Sequence, residues 1–437
     1  PPGTPVRATM QTTLDALLAS GLDTAAARAM PGVVAVYTGA DLVAAGVKPI
    51  PVPPSFKQRG GAPMSTPPKL ALAHQFVRFV GEAVVGVVAD SRDAARAAVN
   101  AVMVDYEDLP AVSDAQRATA PGAALVWAGA PGNIVAESRH GDAAATEAAF
   151  AQAAHRVALD IVNQRLAPVT MEPRSVLAYT EEGRLTLRMS SQMPSGVRNS
   201  LADIVPGCTK DSVRVVVGDV GGGFGMKTGI YPEDVVVAWA AKQLGRPVKW
   251  QAERVEDFLA AVHGRSQISH AELALDAQGL VLALRVRTLA NVGAYPSGTS
   301  LAIPLLIGPW VSTSIYHVPL VSLQISGVLT HNAPTGAYRG AGRPEAIYII
   351  ERLLDAAARE MNLDGAELRR RNMVKPAQMP YKNAMGQVYD SGQFERILDQ
   401  GLLLSDWAGF DGRRAATESR GKLRGRGIAT FLEWTGG

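Results

Sequence analysis

The segment from residue 213 to 239, "VRVVVGDVGGGFGMKTGIYPEDVVVAW", contains three successive patterns. Alternating valines at its start predict a half-buried strand, because β-branched side chains at every second position suit a pleated surface. Apolar residues at helical spacing follow Pro232, which fits the first turn of a helix, and Gly245 fits its end. The segment therefore predicts a strand, a glycine-rich loop and a helix.

The loop itself is unusual in composition, since four of the five residues from 221 to 225 are glycine and the fifth is Phe224. Glycine is costly to order, so such a run indicates a backbone with positive φ or one that lies very close to another group. A tight turn alone needs one or two glycines and remains an alternative. The pattern favours a bare backbone against a rigid ligand, with Phe224 shaping the pocket.

A phosphate-binding loop is the second alternative. The pattern G-x-x-x-x-G-K-[ST] needs a glycine where Met226 stands, before Lys227 and Thr228, and the dinucleotide pattern G-x-G-x-x-G, begun at Gly221, needs the same glycine. The predicted helix also begins about five residues after Lys227 rather than at it. The sequence therefore disfavours nucleotide binding.

Composition excludes several other classes of protein. The chain has 437 residues, 47% of them hydrophobic, and 43 basic against 40 acidic residues, with no basic run that predicts a nucleic-acid partner. The longest apolar run, residues 301–311, is about half of the roughly 20 residues that a membrane span needs. Cys208 is the only cysteine, which excludes an internal disulfide and a cysteine-held iron–sulfur cluster. Without a signal pattern or an initiator Met, the chain is expected to be processed, tagged or cut; a cytoplasmic location is favoured and a periplasmic one stays open.

Along the chain, the patterns predict two units of an α+β protein. A small β/α module ends near residue 112, with Ser91 as the N-cap of a helix over 92–100. Residues 113–140 are rich in Ala, Pro and Gly and are expected to be a loose linker. From 141 onward helices and strands alternate in one larger unit, 141–437, in which the segment after residue 344 has the clearest helical spacing.

Four segments resemble, in the same order, one family. They are "VRFVGEAVVGVVADSRDAARAAVNAVMVDYEDLPAV", "APVTMEPRSVLAYTEEGRLTLRMSSQMPSGVR", "GDVGGGFGMKTGIYPED" and "TGAYRGAGRPEAIYIIERLLDAAARE". The family is that of the molybdopterin-binding large subunits of xanthine dehydrogenase, aldehyde oxidase and carbon monoxide dehydrogenase. The resemblance implies an α/β hammerhead domain over 1–112, followed over 141–437 by the first part of a molybdenum-cofactor-binding domain with mixed sheets and helices. Residues 1–25 lack the family's opening strand and its histidine-containing segment, so we assign them no structure.

The resemblance also assigns roles to residues. Gln192 matches a glutamine whose amide reaches the metal's oxo ligand, a task that suits an uncharged donor. The residues implied to contact the cofactor are Gln192, Gly222, Gly223, Phe224, Gly225 and Arg339, the last through its main chain. Those implied to line the substrate pocket are Phe224, Thr228 and Ala341. The pterin holds the molybdenum, and no direct protein ligand is expected.

Three departures from the family narrow the expectation. Gly340, followed by Ala341, stands where the carbon monoxide enzymes carry a copper-binding cysteine, which disfavours carbon monoxide oxidation. Thr228 stands where purine-oxidising members carry a glutamate, and residues 300–312 offer no arginine, which disfavours purines. The family's catalytic glutamate lies in a second half that does not occur in this sequence, so we predict no catalytic residue in this chain and expect either a fragment or a split subunit.

The activity implied by the resemblance is that of a molybdenum hydroxylase, catalytically incomplete as this single chain. Such an enzyme inserts water-derived oxygen into an electron-poor carbon of an N-heteroaromatic or aldehyde substrate. The implied cofactor is molybdopterin, with the cytosine dinucleotide as one candidate form. The expected partners are a second half or chain, an iron–sulfur subunit and a subunit carrying FAD. The alternatives are a P-loop-like nucleotide-binding protein and a metal-free assembly subunit.

Overall fold

The computed structural model describes residues 6–12 and 17–433, with side chains from residue 21 onward. Residues 1–5, 13–16 and 434–437 lie outside the described residues, as do the parts of the predicted units that fall on them. Within the described ranges, no helix has both the length and the apolar character that crossing a bilayer requires.

In these residues the strands form one seven-stranded sheet, one five-stranded sheet and two ribbons of two strands. The seven-stranded sheet, in spatial order, consists of β10 (Val213–Val216), β9 (Arg184–Met189), β8 (Ser175–Glu181), β11 (Val248–Gln251), β1 (Val6–Thr12), β4 (Ala83–Ala89) and β3 (Val33–Thr38). The five-stranded sheet consists of β6 (Ile134–Gly141), β14 (Leu320–Leu329), β13 (Val281–Gly293), β12 (Gln267–Leu275) and β7 (His155–Asn163). The ribbons are β2 (Leu17–Asp23) with β5 (Met103–Glu107), and β15 (Tyr381–Lys382) with β16 (Val388–Tyr389). Both large sheets contain parallel and antiparallel pairs, so the α+β class with mixed sheets is confirmed.

Helices cover the sheets. They are α1 (Ala25–Arg28), α2 (Gly39–Ala44), α3 (Arg92–Asn100), α4 (Ala115–Ala118), α5 (Ala143–Gln152), α6 (Pro194–Ile204), α7 (Pro232–Leu244), α8 (Arg254–Ala260), α9 (Gly298–Ala302), α10 (Gly308–Trp310), α11 (Arg343–Glu360), α12 (Gly365–Asn372), α13 (Phe394–Leu404) and α14 (Phe410–Glu418). One turn of π-helix, Ile303–Ile307, joins α9 to α10.

The strongest local predictions are confirmed. The strand that begins the quoted segment is β10, and the helix after Pro232 is α7, with Pro232 in its first turn and Gly245 in the left-handed conformation at its end. Ser91 caps α3 by accepting a hydrogen bond from the backbone N–H of Ala94. The helix predicted after residue 344 is α11, whose apolar face lies in the core over the five-stranded sheet.

Three expectations for the chain's organisation differ from the structure. The segment 113–140 is not a loose linker, because its last residues form β6 within the five-stranded sheet and Val126, Ala130 and Val135 are buried in the core. Residues before 26 are not without a strand, since β1 pairs with β4 and β11. The two predicted units also share a sheet, because strands from residues 6–89 and from residues 175–251 join in the seven-stranded one. These features depend on pairing between strands that are far apart in the sequence, which amino-acid composition does not predict.

The candidate site lies at the ends of two neighbouring strands. β9 and β10 are parallel, joined by the crossover helix α6, so their carboxyl ends lie at the same edge of the sheet. Gln192 follows β9 and the glycine loop follows β10, and such an edge is a common place for ligand binding. The topology therefore brings together two segments that are separated along the chain.

Candidate cofactor-binding site

Gln192 occupies the short turn between β9 and α6. Its backbone N–H donates to the carbonyl oxygen of Lys227 at 2.8 Å, and α6 begins two residues later with Pro194 in its first turn. The backbone of Gln192 is thus tied to the far end of the glycine loop, while its side chain is exposed at the surface.

The glycine loop orients the amide of Gln192. The backbone N–H of Gly225 donates to Oε1 of Gln192 at 2.9 Å. Because a backbone amide can only donate there, Oε1 is the acceptor and the NH2 group of the side chain points elsewhere. Among the described residues this Nε2 group has no hydrogen-bond partner, so it is left as a donor at the surface of the loop.

Each of the four loop glycines is required by contact or by conformation, and two of them flank Phe224. A Cβ at Gly223 would lie 2.4 Å from Oε1 of Gln192, so only a residue without a side chain admits the amide here. Gly225 has φ of 94°, and a Cβ there would lie 2.4 Å from the carbonyl oxygen of Ala337. Phe224, between them, has φ of 50° and is 44% exposed. These two glycines therefore allow close approach of other parts of the protein, and Phe224 projects from a strained backbone.

A third segment, the loop between β14 and α11, joins the other two. The backbone N–H of Arg339 donates to the carbonyl oxygen of Phe224 at 3.0 Å. The guanidinium of Arg265 donates to the carbonyl oxygens of Tyr338 and Arg339 at 3.0 and 2.6 Å, and it pairs with the buried carboxylate of Glu345 at 3.2 Å. Arg339 thus takes part through its main chain, and its own side chain is exposed.

Gly340 and Ala341 complete this loop. Gly340 has φ of 92°, and a Cβ there would lie 2.4 Å from Cγ of Pro344. A cysteine at this position would therefore clash with the proline ring and strain the backbone. Ala341 has φ of 42°, is half-buried, and donates its N–H to the carbonyl oxygen of Tyr338 at 2.8 Å.

The side chains of Thr228 and Lys227 make hydrogen bonds to other residues of the chain. The hydroxyl of Thr228 donates to the carbonyl oxygen of Gly225 at 2.7 Å, which closes the loop's end. The side chain of Lys227 is 1% exposed, and its ammonium group donates to the backbone oxygen and to Oε2 of Glu172 at 3.0 and 2.9 Å. A lysine engaged in this way is not available to a phosphate. The loop also enters a short 3-10 turn, Met226–Thr228, rather than the N-terminus of α7.

A buried network supports the loop from below. The hydroxyl of Tyr231 donates to the carbonyl oxygen of Met226 at 2.7 Å. The guanidinium of Arg174 lies 4.0 Å from the centre of the Tyr231 ring and makes hydrogen bonds to Glu233 and Asp257. These buried side chains therefore support the loop independently of Lys227.

This buried network, which also includes Asp234 and Glu256, contains more carboxyl groups than cations. Burial, together with the charge of Glu233, raises the pKa of Asp234 to about 7. The same two causes raise the pKa of Glu256 to about 8. Burial is the main cause in both cases because it disfavours the charged form. Asp234 and Glu256 therefore retain protons at pH values where ordinary carboxyl groups have lost them.

Sequence reasoning did not single out Glu172 or Arg265, and it considered Lys227 only as a phosphate ligand. Glu172 lies inside a segment quoted for its resemblance, but its partner is 55 residues away. Arg265 lies 74 residues before the carbonyl group that it contacts. The available signal was a lysine two residues after the glycine loop, at a point where no α-helix begins. Within the described residues, no three histidine, cysteine, aspartate or glutamate side chains gather in a way that could hold a metal ion.

Comparison with family models gives two matches. Residues 126–373 match the model described as "Molybdopterin cofactor-binding domain". Residues 16–110 match the model described as "Aldehyde oxidase and xanthine dehydrogenase, a/b hammerhead domain".

Individual proteins are similar over nearly the whole chain. The nicotine 6-hydroxylase large subunit of Paenarthrobacter nicotinovorans is 34% identical, a match that covers 95% of this chain and 50% of that protein. The carbon monoxide dehydrogenase large chain of Hydrogenophaga pseudoflava is 35% identical over 94% of this chain and 52% of its own length. The crystal structure of quinoline 2-oxidoreductase from Pseudomonas putida 86 superposes with a TM-score of 0.87 at 33% identity, over 95% of this chain and 52% of that one. The chain thus spans about half the length of these relatives.

Proposed function

The chain belongs to the molybdopterin-binding family of the aldehyde oxidases and xanthine dehydrogenases, and from this premise we propose that it is part of a molybdenum hydroxylase. The reaction is the insertion of water-derived oxygen into an electron-poor carbon of an N-heteroaromatic or aldehyde substrate. The observation that carries the proposal is the amide of Gln192, which Gly225 holds with its NH2 group free above a loop of bare backbone.

The residues present fit a rigid, planar ligand with hydrogen-bonding edges. Gly222 and Gly223 remove side chains from the loop surface, and the free Nε2 of Gln192 is an uncharged donor beside them. An uncharged donor would suit such a cofactor because it adds no charge that would shift the metal's potential. Gln192, the loop residues 222–225 and the main chain of Arg339 would hold the cofactor.

Each residue then has a distinct task. When bound, the cofactor supplies the metal that accepts the substrate's electrons and delivers the oxygen derived from water. Gln192 donates a hydrogen bond from Nε2, and Gly225 keeps that donor in place. Phe224, 44% exposed and fixed by its neighbours, forms an apolar wall that orients a flat substrate and excludes water. We assign no proton transfer to a residue of this chain.

The proposed substrate class rests on two side chains that are absent, a cysteine at position 340 and a charged residue at position 228. Gly340 has no room for a side chain, since Pro344 stands where its Cβ would lie, and this supports the exclusion of a copper-binding cysteine. The hydroxyl of Thr228 is engaged by Gly225, so this position offers no charge to a purine. Phe224 and Ala341 are both apolar, and we therefore favour an aromatic heterocycle or an aldehyde as the substrate.

The remaining parts of the enzyme are proposals of the same kind. A second half or chain would contribute the catalytic base. The substrate's electrons would pass to an iron–sulfur subunit and a flavin subunit, and the pterin would be the cytosine dinucleotide form. We retain the division into a hammerhead domain, 1–112, and a cofactor-binding part, 141–437, within the shared sheet described above.

The test uses the protein purified with its natural partner chains. We expect about one molybdenum per copy and, on incubation with heterocycles and aldehydes in 18O-labelled water, label in a hydroxylated product. We expect Gln192→Glu, which replaces the donor by an anionic acceptor, to lower kcat by about 10- to 100-fold. Gln243→Glu, on the exposed face of α7, is the matched control and should leave kcat unchanged.

Three results would each contradict the proposal in a different way. Unlabelled product would exclude hydroxylation. A complex without molybdenum would favour the metal-free assembly subunit. Saturable binding of a fluorescent nucleotide that Lys227→Met abolishes would favour the nucleotide-binding alternative, against which the burial of Lys227 argues.

A further inference from the structure

We propose that Lys227 is a positioning residue for the cofactor site: acting through Glu172, it locks the two ends of the glycine loop together and holds Gln192 in register with them. This inference rests on the proposed function for its catalytic consequence. The linkage itself is a property of the chain and can be tested without the cofactor.

Lys227 is a point at which three segments meet. Its ammonium group donates to the backbone oxygen of Glu172 at 3.0 Å and to the carboxylate at 2.9 Å. The same carboxylate oxygen accepts the backbone N–H of Gly221 at 2.8 Å, and the backbone N–H of Glu172 donates to the carbonyl oxygen of Gly221 at 3.0 Å. The start of the loop is therefore tied, through one carboxylate, to the residue that ends it.

The main chain of Lys227 extends the linkage to the glutamine. Its carbonyl oxygen accepts the backbone N–H of Gln192 at 2.8 Å, and Gln192 returns to the loop through the hydrogen bond from Gly225 to its Oε1. Glu172, Lys227, Gln192 and Gly225 are thus linked by a chain of hydrogen bonds, which the covalent backbone from Gly221 to Gly225 closes into a ring. We therefore expect a shift of Lys227 to displace the free Nε2 group of Gln192.

The burial of the lysine points to a purpose other than stability. Its side chain is 1% exposed, whereas that of Glu172 is 34% exposed. Replacing a buried ion pair by hydrophobic residues of similar volume is often neutral or stabilising, so the pair is weak evidence for stability, and we infer that it specifies the conformation of the loop. A loop with four glycines in five residues has many accessible conformations, and a buried clamp removes most of them.

The remaining contacts make it possible to remove the clamp without losing the fold. Tyr231 holds the carbonyl oxygen of Met226 from the opposite side, and Arg174 fixes Tyr231. We therefore expect Lys227→Met to fold and to loosen only the loop. Glu172→Gln with Lys227→Met removes both charges together, and the glutamine still offers an oxygen to the N–H of Gly221.

The experiment compares wild type, Lys227→Met, the double variant and Lys375→Met in the full complex. Lys375 is a matched control, because its ammonium group also donates to one backbone oxygen, of Arg370 at 2.9 Å, and to one carboxylate, of Glu395 at 2.6 Å. The measurements are thermal stability, hydrogen exchange of residues 187–195 and 217–228, molybdenum content, the Mo(V) electron paramagnetic resonance spectrum, and kcat and KM.

We expect Lys227→Met to exchange faster in both segments, to give an altered or heterogeneous Mo(V) spectrum, and to lose about 10- to 100-fold in kcat with a smaller change in KM. The double variant should keep the fast exchange and the altered spectrum, because the clamp stays broken whether or not the side chain of Glu172, which is 34% exposed, carries a charge. Lys375→Met should match wild type in exchange, spectrum and kcat.

Recovery of all properties together in the double variant would overturn the inference, since that is the behaviour of a merely structural ion pair. Wild-type exchange and spectrum in Lys227→Met would overturn it as well. A wild-type complex without molybdenum would overturn the proposed function instead, and the exchange comparison would still decide whether Lys227 links the segments.

Discussion

Gly223→Ala adds one methyl group beside Gln192 and should lower activity with little change in stability. In Gly223→Ala the new Cβ would lie 2.4 Å from Oε1 of Gln192, whereas an ordinary contact begins near 3.4 Å. The amide must therefore retreat by about 1 Å, and it then loses the hydrogen bond from Gly225. The backbone need not move, because φ at Gly223 is not positive and alanine can adopt it.

These two effects have different magnitudes. The lost hydrogen bond costs about 1 kcal/mol, and replacing glycine by alanine at a compatible position stabilises by about 0.4–1 kcal/mol through the unfolded state. The free energy of unfolding should therefore change by less than about 1 kcal/mol. A displacement of about 1 Å in a catalytic group, by contrast, can cost about 100-fold in rate.

The assay is kcat of the loaded complex, with molybdenum content measured on the same sample and the free energy of unfolding measured by urea denaturation. Gly218→Ala is the control, since a Cβ at Gly218 has nothing within 4 Å and its φ is not positive. We expect Gly223→Ala to lose about 100-fold in kcat and the control to lose none. Unchanged kcat in Gly223→Ala, or a destabilisation above about 2 kcal/mol, would refute the reasoning.

Three further predictions test other parts of the site. Gly340→Cys should lower the free energy of unfolding by about 1–3 kcal/mol, because φ of 92° and the ring of Pro344 both oppose a side chain; an unchanged urea midpoint would contradict this. Burial raises the pKa of Glu256 from 4.5 to about 8, so its contribution to stability is fully present below pH 4.5 and is lost as pH rises toward 8. Glu256→Gln should therefore flatten the dependence of the melting temperature on pH between these values. An unchanged slope would contradict this prediction. Arg339→Ala should preserve molybdenum content, since the main chain makes the contacts, whereas Arg265→Ala should lower it; the reverse order would exclude a main-chain role.

What the sequence predicted well is local. Pro232 and Gly245 bound a helix by their own backbone chemistry, and the apolar spacing of α11 is visible within its 18 residues. The glycines at 223 and 225 also indicated close approach, because no other residue tolerates such contacts. The role proposed for Gln192 rests on resemblance, since a polar residue after a strand carries no distinguishing pattern of its own.

What the sequence did not predict depends on pairs far apart along the chain. β6 lies in a segment whose Ala, Pro and Gly content predicts a linker, and it becomes a strand because β14 offers it an edge to pair with. Glu172 and Lys227 look like ordinary surface charges until the fold brings them to 2.9 Å. Local propensity cannot report such contacts, because tertiary pairing supplies most of their free energy.

The strained residues of the site explain why these long-range contacts matter. Phe224 and Ala341 both have positive φ, in the left-handed region that costs a non-glycine residue about 1–2 kcal/mol. Neither loop would hold this conformation alone, but the hydrogen bond from Arg339 to Phe224 joins them, and Arg265 and Lys227 each hold one loop to the surrounding core. Because contacts within the protein balance this strain, the chain's own residues define the surface formed by Gln192 and Phe224.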